Sequence, residues 1–342
     1  MLRHSFLLAA FQKGAVVLAL LLGIVLSGAS RRAEAAAINT EPVPALPPGW
    51  TLEFWSGAQP GVSLAVLKRA PIDPPARYRL VVLPGSGCTG WLPVATRYFS
   101  GLLHAELLVL HKPGVNVNAG LGADCPPNFI QQDTLSSWRD HAQAALQMYF
   151  SASPNPAATP MLAAPTLPTL LMGISEGAEL LPDLADHVPA LAGVVMISAP
   201  GLDPRDAGEL QAQRLGHGPA WRALEQAQAS DADDHDWYEG RTLRYWRDFW
   251  HWQLAQPLLE ASWPLLRVWG DADALVPLIA YERFAQRAQH RAVPLCDLRL
   301  PGADHGLQSG PVVPRDGLQW LWARIEMWGR KPAGELCELV RP

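Results

Sequence analysis

The sequence Gly173-Ile174-Ser175-Glu176-Gly177 directly follows the apolar run Thr169-Leu170-Leu171-Met172. The apolar run predicts a buried strand, and residues 176–188 predict a helix with acidic residues in its first turn. A serine flanked by glycines between a strand and a helix is typical of a sharp turn that holds the hydroxyl exposed above a sheet. Glycine is required there because a Cβ at either flank would collide with the neighbouring backbone.

Two later segments carry polar residues just after predicted strands. The run at 264–269 predicts a strand and continues into Gly270-Asp271-Ala272-Asp273-Ala274-Leu275-Val276-Pro277. The run at 294–300 predicts another strand, which is followed by Pro301-Gly302-Ala303-Asp304-His305-Gly306. The order serine, aspartate, histidine along the chain is one of those known for a Ser-His-acid triad.

These three motifs resemble those of the α/β-hydrolase superfamily, in particular its serine esterases and lipases, over roughly residues 63 to 335. By this resemblance, Ser175 at the centre of G-x-S-x-G is the nucleophile. Asp273 matches the acid in G-x-x-D-x-x-V-P, and His305 matches the base in G-x-D-H-G. The resemblance implies an α/β-hydrolase fold, with a mostly parallel central sheet flanked by helices and a helical cap insertion. It implies no metal and no organic cofactor.

The three residue types suit nucleophilic catalysis. A serine hydroxyl is a weak nucleophile at neutral pH and must lose its proton to a base as it attacks. Imidazole titrates near neutral pH, so His305 can take that proton and return it to a leaving group, while Asp273 holds the ring in one tautomer. Asp271 and Asp304 compete for the role of the acid. However, Asp271 breaks the spacing to Val276-Pro277, and Asp304 is next to His305, where adjacent side chains rarely point at each other.

Backbone N–H groups must also stabilise the negative charge that develops on the attacked carbonyl oxygen. The residue after the nucleophile, Glu176, is predicted to supply one amide. The second is predicted to come from the loop Pro84-Gly85-Ser86-Gly87-Cys88-Thr89-Gly90, which follows a predicted strand at 78–83. Members of the family often carry His-Gly where this loop begins with Pro-Gly. The second donor is therefore predicted to be Ser86, with Gly87 next to it.

Strand-like runs and helical patterns alternate along the chain. Strands are predicted at 51–55, 63–68, 78–83, 106–111, 169–173, 193–198, 264–269 and 295–300. Helices are predicted at 91–102, 134–150, 176–188, 279–290 and 317–329. This alternation indicates a mostly parallel sheet with helices on both faces, and it brings Ser175, Asp273 and His305 to one edge of the sheet. We predict that residues 36–200 and 263–342 form this α/β core.

Residues 201–262 fall outside the alternation, where α/β hydrolases commonly insert a cap. The segment is rich in aromatic residues, and Trp246, Phe249 and Trp250 fall near helical spacing. We predict that these three line the substrate pocket. The alternative is that the rings only pack the cap onto the core. Trp250 and Trp252 cannot both face inward on one helix, so at least one of them is predicted to be partly exposed.

The N-terminal segment has the pattern of an export signal. A positively charged start precedes an apolar stretch at 14–29 and a small-residue cleavage site at Ala33-Glu34-Ala35. We predict that residues 1–35 are a signal peptide and that the mature protein is periplasmic or secreted. An uncleaved membrane anchor remains open as the alternative, because Arg31-Arg32 follows the apolar stretch instead of preceding it.

Four cysteines form an even set, as expected for an oxidising compartment. Cys88 and Cys125 each follow a predicted strand, and those two strands are expected to be neighbours. Cys296 begins the last predicted strand, and Cys337 lies just after the last predicted helix. We predict that Cys88 pairs with Cys125 and that Cys296 pairs with Cys337, with four free thiols as the alternative.

The composition of the chain argues against two further functions, nucleic-acid binding and zinc binding. A formal net charge of -5 gives no basic surface for nucleic acid, and the Cys and His spacings do not suggest a zinc site. We predict a serine hydrolase that cleaves a small-molecule carboxylic ester through an acyl-enzyme, with membrane contact only through the N-terminal segment. A peptidase or acyltransferase would use the same triad. A non-catalytic binding protein could share the fold, with Ser175 as a structural turn residue.

Overall fold

The computed structural model describes residues 46–120, 122–151, 167–310, 315–332 and 336–340 of the chain. The predicted signal segment at 1–35 lies outside these ranges. The strands are β1 (Trp50–Ser56), β2 (Ser63–Arg69), β3 (Tyr78–Leu83), β4 (Ala105–Leu110), β5 (Thr169–Ile174), β6 (Leu191–Ile197), β7 (Trp237–Tyr238), β8 (Arg241–Thr242), β9 (Leu265–Gly270), β10 (Leu295–Leu300), β11 (Gln308–Ser309) and β12 (Arg315–Asp316). The eight longer strands are the eight predicted from the sequence.

Those eight strands form one sheet in the order β1-β2-β4-β3-β5-β6-β9-β10. Strand β2 runs antiparallel to both of its neighbours, and the remaining pairs are parallel. The central strands are covered on both faces, which explains why their sequences are continuous apolar runs. Leu83 pairs with Gly173, and Ile174 pairs with Ile197, so the carboxyl ends of β3, β5 and β6 lie side by side. The mostly parallel sheet is confirmed.

Helices cover both faces of the sheet. They are α1 (Leu92–Tyr98), α2 (Pro127–Gln132), α3 (Leu135–Ser151), α4 (Leu181–Ala185), α5 (Pro204–Arg214), α6 (Gly218–Gln228), α7 (Leu243–His251), α8 (Ala255–Glu260), α9 (Leu278–Arg287) and α10 (Gly317–Trp328). Buried Leu92 and Trp322 place α1 and α10 on one face, and buried Trp138 and Phe284 place α3 and α9 on the other. Within the described ranges, every helix falls short of the length and apolarity needed to cross a bilayer.

The prediction of a single helix at 176–188 is wrong in detail. Residues Ser175–Leu180 form a 3₁₀ helix, and α4 is only five residues long. Pro182 lies in the first turn of α4 and has no backbone N–H. It therefore cannot donate the hydrogen bond that would carry α-helical pairing through from the preceding turn. The turn from strand to helix nevertheless begins at Ser175, as predicted.

Between β6 and β9 the chain forms α5, α6, the β7–β8 ribbon, α7 and α8. We call residues 201–262, which the sequence predicts to be a cap, the cap segment. Trp250 and Trp252 are both buried, at 6% and 8% exposure, so the prediction that one of them is partly exposed is wrong. The physical reason is that α7 ends at His251, and the extended backbone of Trp252 turns its ring back towards the core. There its indole N–H donates to the carbonyl of Glu179 at 3.0 Å.

Two disulfide bonds cross-link the fold, and each joins the two cysteines that were predicted to pair. Cys88 bonds Cys125 across a sequence separation of 37, and Cys296 bonds Cys337 across a separation of 41. The first bond ties the loop after β3 to the segment before α2. The second ties the edge strand β10 to the C-terminal residues that pack against it.

Removing the first disulfide should cost stability, because the bond restricts the unfolded chain. We expect the double variant Cys88→Ser, Cys125→Ser to lose about 2–4 kcal/mol of unfolding free energy. Urea unfolding followed by tryptophan fluorescence measures this loss, and the Cys296→Ser, Cys337→Ser variant is the matched comparison. An unchanged urea midpoint would show that the Cys88–Cys125 bond does not constrain the unfolded chain.

Candidate active site

Ser175 lies at the tight turn where β5 ends. Its φ of 51° is left-handed, a backbone conformation that is unusual for a residue with a side chain. The flanking glycines make the turn possible. A Cβ on Gly173 would lie 2.3 Å from Ala178 Cα, and one on Gly177 would lie 2.3 Å from the Leu83 carbonyl oxygen. Ser175 itself lines a large cavity.

Asp273 and His305 form a direct pair beyond the ends of β9 and β10. His305 Nδ1 lies 2.8 Å from Asp273 Oδ2. The other oxygen of Asp273 accepts the backbone N–H groups of Leu275 at 2.7 Å and Val276 at 3.1 Å, and Tyr281 donates its hydroxyl to Oδ2 at 3.2 Å. A carboxylate held in this way fixes the imidazole with its proton on Nδ1, which leaves Nε2 as the acceptor.

The two competing aspartates are engaged elsewhere. Asp271 accepts a hydrogen bond from Arg299 at 3.0 Å and from the backbone of Gly302 at 2.5 Å. Asp304 closes its own turn by accepting the backbone N–H of Gly306 at 2.8 Å. Of the three candidate acids, Asp273 is therefore the one whose carboxylate has a hydrogen bond to His305.

Sequence reasoning missed two residues that support this pair. Tyr281 on α9 donates to Asp273, and its ring stacks on Trp269 at 4.4 Å. Burial and the neighbouring Asp273 charge raise the pKa of Tyr281, so it stays a hydroxyl donor. Ser198, directly after β6, donates to the backbone carbonyl of His305 at 2.7 Å. A polar residue just after a buried strand was a signal that could have found Ser198. Tyr281 carried no such signal, because its role depends on how α9 packs.

The glycine-rich loop after β3 lies against the serine turn. A Cβ added to Gly85 would lie 3.4 Å from Ser175 Cβ, which is ordinary contact distance. Ser86 and Gly87 line the same cavity as Ser175 and Glu176. Gly87 has a φ of 84°, a conformation that favours glycine. The predicted oxyanion residues therefore border one space, next to the serine.

A buried histidine holds the far end of this loop. His111 Nε2 accepts the backbone N–H of Trp91 at 3.1 Å, and its Nδ1 lies 2.9 Å from the carbonyl oxygen of Ala65. Burial lowers the pKa of His111 to about 4, against a smaller opposing effect of the Ala65 carbonyl. The ring is therefore neutral at physiological pH, with Nδ1 as donor and Nε2 as acceptor. In that form the ring, which directly follows β4, joins β2 to the residue after the glycine-rich loop.

The cavity above Ser175 has a volume of about 1060 Å³ and lies between the core and the cap segment. Most of its wall is apolar, and aromatic rings contribute much of it. These rings belong to Phe129, Trp221, Trp237, Tyr245, Trp246 and Phe249. Of the three residues predicted to line a pocket, Trp246 and Phe249 do so. Trp250 does not, because it lies behind the wall, where it stacks on Trp221 at 4.9 Å.

One wall of the cavity is ionic. Glu176 is 6% exposed, and its carboxylate is ion-paired to Lys112 and accepts the hydroxyl of Tyr245 at 2.6 Å. Arg241 lies 3.6 Å from the same carboxylate. Asp133 completes the group, which we call the Glu176 cluster, by pairing with Arg241 and with Lys112, the latter at 3.2 Å. Burial alone would raise the pKa of Glu176, but the charges of Lys112 and Arg241 lower it below its ordinary value.

Glu179 lies next to the Glu176 cluster, but its pKa is shifted in the opposite direction. Glu179 lines the cavity, while its Oε2 is shielded from solvent and has no hydrogen-bond partner within the described part of the chain. Burial, and then the negative charge of Glu176, raise the pKa of Glu179 well above its ordinary value, against weaker opposing effects of Lys112 and Arg241. Among the described residues, no group of three or more His, Cys, Asp or Glu side chains is arranged to hold a metal ion.

The architecture is the α/β-hydrolase fold. A mostly parallel eight-stranded sheet, with β2 antiparallel, carries a serine turn after β5 and an Asp–His pair after its last two strands. The resemblance seen in the sequence motifs is thereby confirmed at the level of the fold.

Comparisons with known proteins agree with this assignment. No protein-family model and no curated protein sequence matches the chain. Among solved structures, the esterase domain of a Rhodothermus marinus protein superposes with a TM-score of 0.50 and 17% identity, covering 82% of this chain and 98% of that one. Est1E from Butyrivibrio proteoclasticus gives a TM-score of 0.51 at 14% identity, covering the same 82% and 98%. At such identities, the likeness shows the fold.

The raised pKa of Glu179 predicts that the stability of the protein depends on pH. The native protein binds a proton on the Glu179 carboxylate more tightly than the unfolded chain does. The stability of the native state therefore falls as pH rises from 4.5, the ordinary pKa of this group, through its raised pKa. Glu179→Gln removes the dependence. We expect its melting temperature to exceed that of the wild type by about 2 °C or more at pH 8, with a smaller gap at pH 5. Exposed Glu225→Gln on α6 is the control. An equal gap at both pH values would contradict the raised pKa.

Proposed function

We propose that the protein is a serine hydrolase that cleaves small-molecule carboxylic esters through an acyl-enzyme. The observation that supports this best is the 2.8 Å contact between His305 Nδ1 and Asp273 Oδ2, at the same sheet edge as the left-handed turn at Ser175. Such a pair orients an imidazole to act as a base, and such a turn exposes a hydroxyl to attack a carbonyl.

In the first half-reaction, Ser175 Oγ forms a bond to the carbonyl carbon as its proton passes to His305 Nε2. The electron pair of the carbonyl moves onto oxygen, where the backbone amides of Glu176 and Ser86, with Gly87 adjacent, stabilise the negative charge. The tetrahedral intermediate then collapses, and the bond to the alcohol oxygen breaks. The proton from His305 goes to that leaving oxygen, while Asp273 stabilises the imidazolium before the proton leaves.

In the second half-reaction, His305 takes a proton from water as the water oxygen attacks the acyl carbon. Collapse of this second intermediate breaks the bond between the acyl carbon and Ser175 Oγ, returns the proton from His305 to that oxygen and releases the carboxylic acid. A peptidase would share both steps with an amine as the leaving group, and an acyltransferase would replace water by another acceptor. Ester hydrolysis is favoured because one of the two solved structures of like fold is named as an esterase domain.

The same proposal includes export. The predicted signal segment at 1–35 would direct the chain to the periplasm or the outside, with any membrane tether confined to that segment. Two disulfides among the described residues are compatible with an oxidising compartment.

Covalent labelling tests the nucleophile and its partners. A fluorophosphonate should bond to Ser175 Oγ with loss of fluoride, and Ser175→Ala should abolish labelling. We expect Asp273→Asn to lower kcat for p-nitrophenyl esters about 10,000-fold, because the imidazole loses its tautomer control. Asp271→Asn, two residues away and bonded elsewhere, should stay within about twofold of the wild type. Unlabelled wild-type protein, or near-normal activity in Asp273→Asn, would reject the proposed triad.

The aromatic wall predicts a preference among acyl chains. Phe249→Ala removes apolar surface from the cavity, so kcat/KM for p-nitrophenyl octanoate should fall about tenfold while that for the acetate changes little. Trp320→Ala, on the exposed side of α10, is the control and should alter neither. A wild-type optimum at the acetate, with no effect of Phe249→Ala on the octanoate, would show that the rings only pack the cap segment.

A further inference from the structure

The Glu176 cluster joins parts of the chain that are far apart in sequence. Lys112 follows β4, Asp133 follows α2, and Glu176 follows the serine at the turn. Arg241 and Tyr245 belong to the cap segment. Two cations and two carboxylates balance in charge here, and the neutral hydroxyl of Tyr245 donates to Glu176 Oε1 at 2.6 Å.

Such a cluster resists separation. Glu176 is buried, so withdrawal of Arg241 and Tyr245 would leave its carboxylate with Lys112 as its one cationic partner among the described residues, and without its hydroxyl donor. Removing one partner from a buried ion pair leaves an uncompensated charge, which is strongly unfavourable. The cap segment is therefore held down at the point where it meets the residue after the nucleophile.

The backbone at that residue is confined from the other side as well. A Cβ on Gly177 would lie 2.3 Å from the carbonyl oxygens of both Leu83 and Pro84, so the chain after Glu176 is pressed directly onto the end of β3. The Glu176 peptide thus lies between this backbone contact and the ionic contacts of its own side chain.

We propose that Tyr245, Arg241 and Lys112 are positioning residues, which fix the backbone amide of Glu176 through its carboxylate and so couple the cap segment to catalysis. This inference rests on the proposed function, in which that amide stabilises the oxyanion. The cap segment then has two roles, since it supplies the aromatic wall of the cavity and also braces the turn that carries Ser175.

A second polar contact of the cap segment provides a matched control. On α7, Asp248 accepts the backbone N–H of Ser136 at 2.9 Å and also the hydroxyl of Ser136. This contact docks α7 on α3 without touching Glu176. Ser136→Ala therefore weakens cap docking alone, whereas Tyr245→Phe removes one hydroxyl from Glu176 and leaves the ring in place.

The experiment compares wild type, Tyr245→Phe, Glu176→Gln and Ser136→Ala by two readouts. The first is hydrogen–deuterium exchange of the backbone amides in residues 174–180, which needs no activity. The second is steady-state hydrolysis of p-nitrophenyl acetate, together with the rate of labelling by a small fluorophosphonate. We expect Tyr245→Phe to lower kcat and the labelling rate about tenfold with KM nearly unchanged, because a misaligned amide weakens transition-state binding selectively.

Exchange at 174–180 should be faster in Tyr245→Phe and Glu176→Gln and unchanged in Ser136→Ala. The proposal is overturned if Tyr245→Phe exchanges like the wild type, or if Tyr245→Phe and Ser136→Ala both raise KM alone. Failure of the proposed function is a distinct result: wild-type protein would not be labelled at all, while the exchange comparison would still decide whether the cap segment braces the turn.

Discussion

Backbone crowding at the end of β5 is the constraint on which the rest of the site depends. At Gly173 and Gly177 there is room for a hydrogen atom and for nothing larger, because the neighbouring chain lies within 2.3 Å of any added Cβ. The turn can therefore close, and Ser175 takes a left-handed conformation that its surroundings impose. Parallel pairing of β3 with β5 then brings the glycine-rich loop to the same place. The Asp–His pair is added from the far side by β9 and β10.

The electrostatic design around this turn is divided into two parts. The Asp273–His305 pair is supported by hydrogen bonds from neutral groups, namely backbone amides and the hydroxyl of Tyr281. The Glu176 cluster is instead a balanced set of buried charges. Buried ion pairs contribute little net stability compared with apolar packing, since desolvation offsets their attraction. Their presence beside Ser175 is better explained by the geometry they impose than by stability.

The sequence was sufficient to predict the sheet and to place Asp273 and His305 after neighbouring strands, for a physical reason. Central parallel strands are buried on both faces, so they read as apolar runs, and their carboxyl ends meet at one edge. What the sequence did not reveal depends on contacts between distant segments. The pairing of Lys112 with Glu176, and of Ser198 with the backbone of His305, is visible only once β4, β5, β6 and β10 are side by side. The prediction that Trp250 lines the cavity is wrong for the same reason. Its ring stacks instead on Trp221, which comes from another helix.

The Cys88–Cys125 bond forms part of the cavity wall, on the loop that borders Ser175. Its integrity therefore matters to how this protein is made in the laboratory. Material from a reducing bacterial cytosol would carry two free thiols at that wall, and the glycine-rich loop would lose one of its anchors. Lack of activity in such material could result from the missing disulfide and would not test the substrates. The protein should therefore be prepared by oxidative folding or by periplasmic expression before its activity is measured.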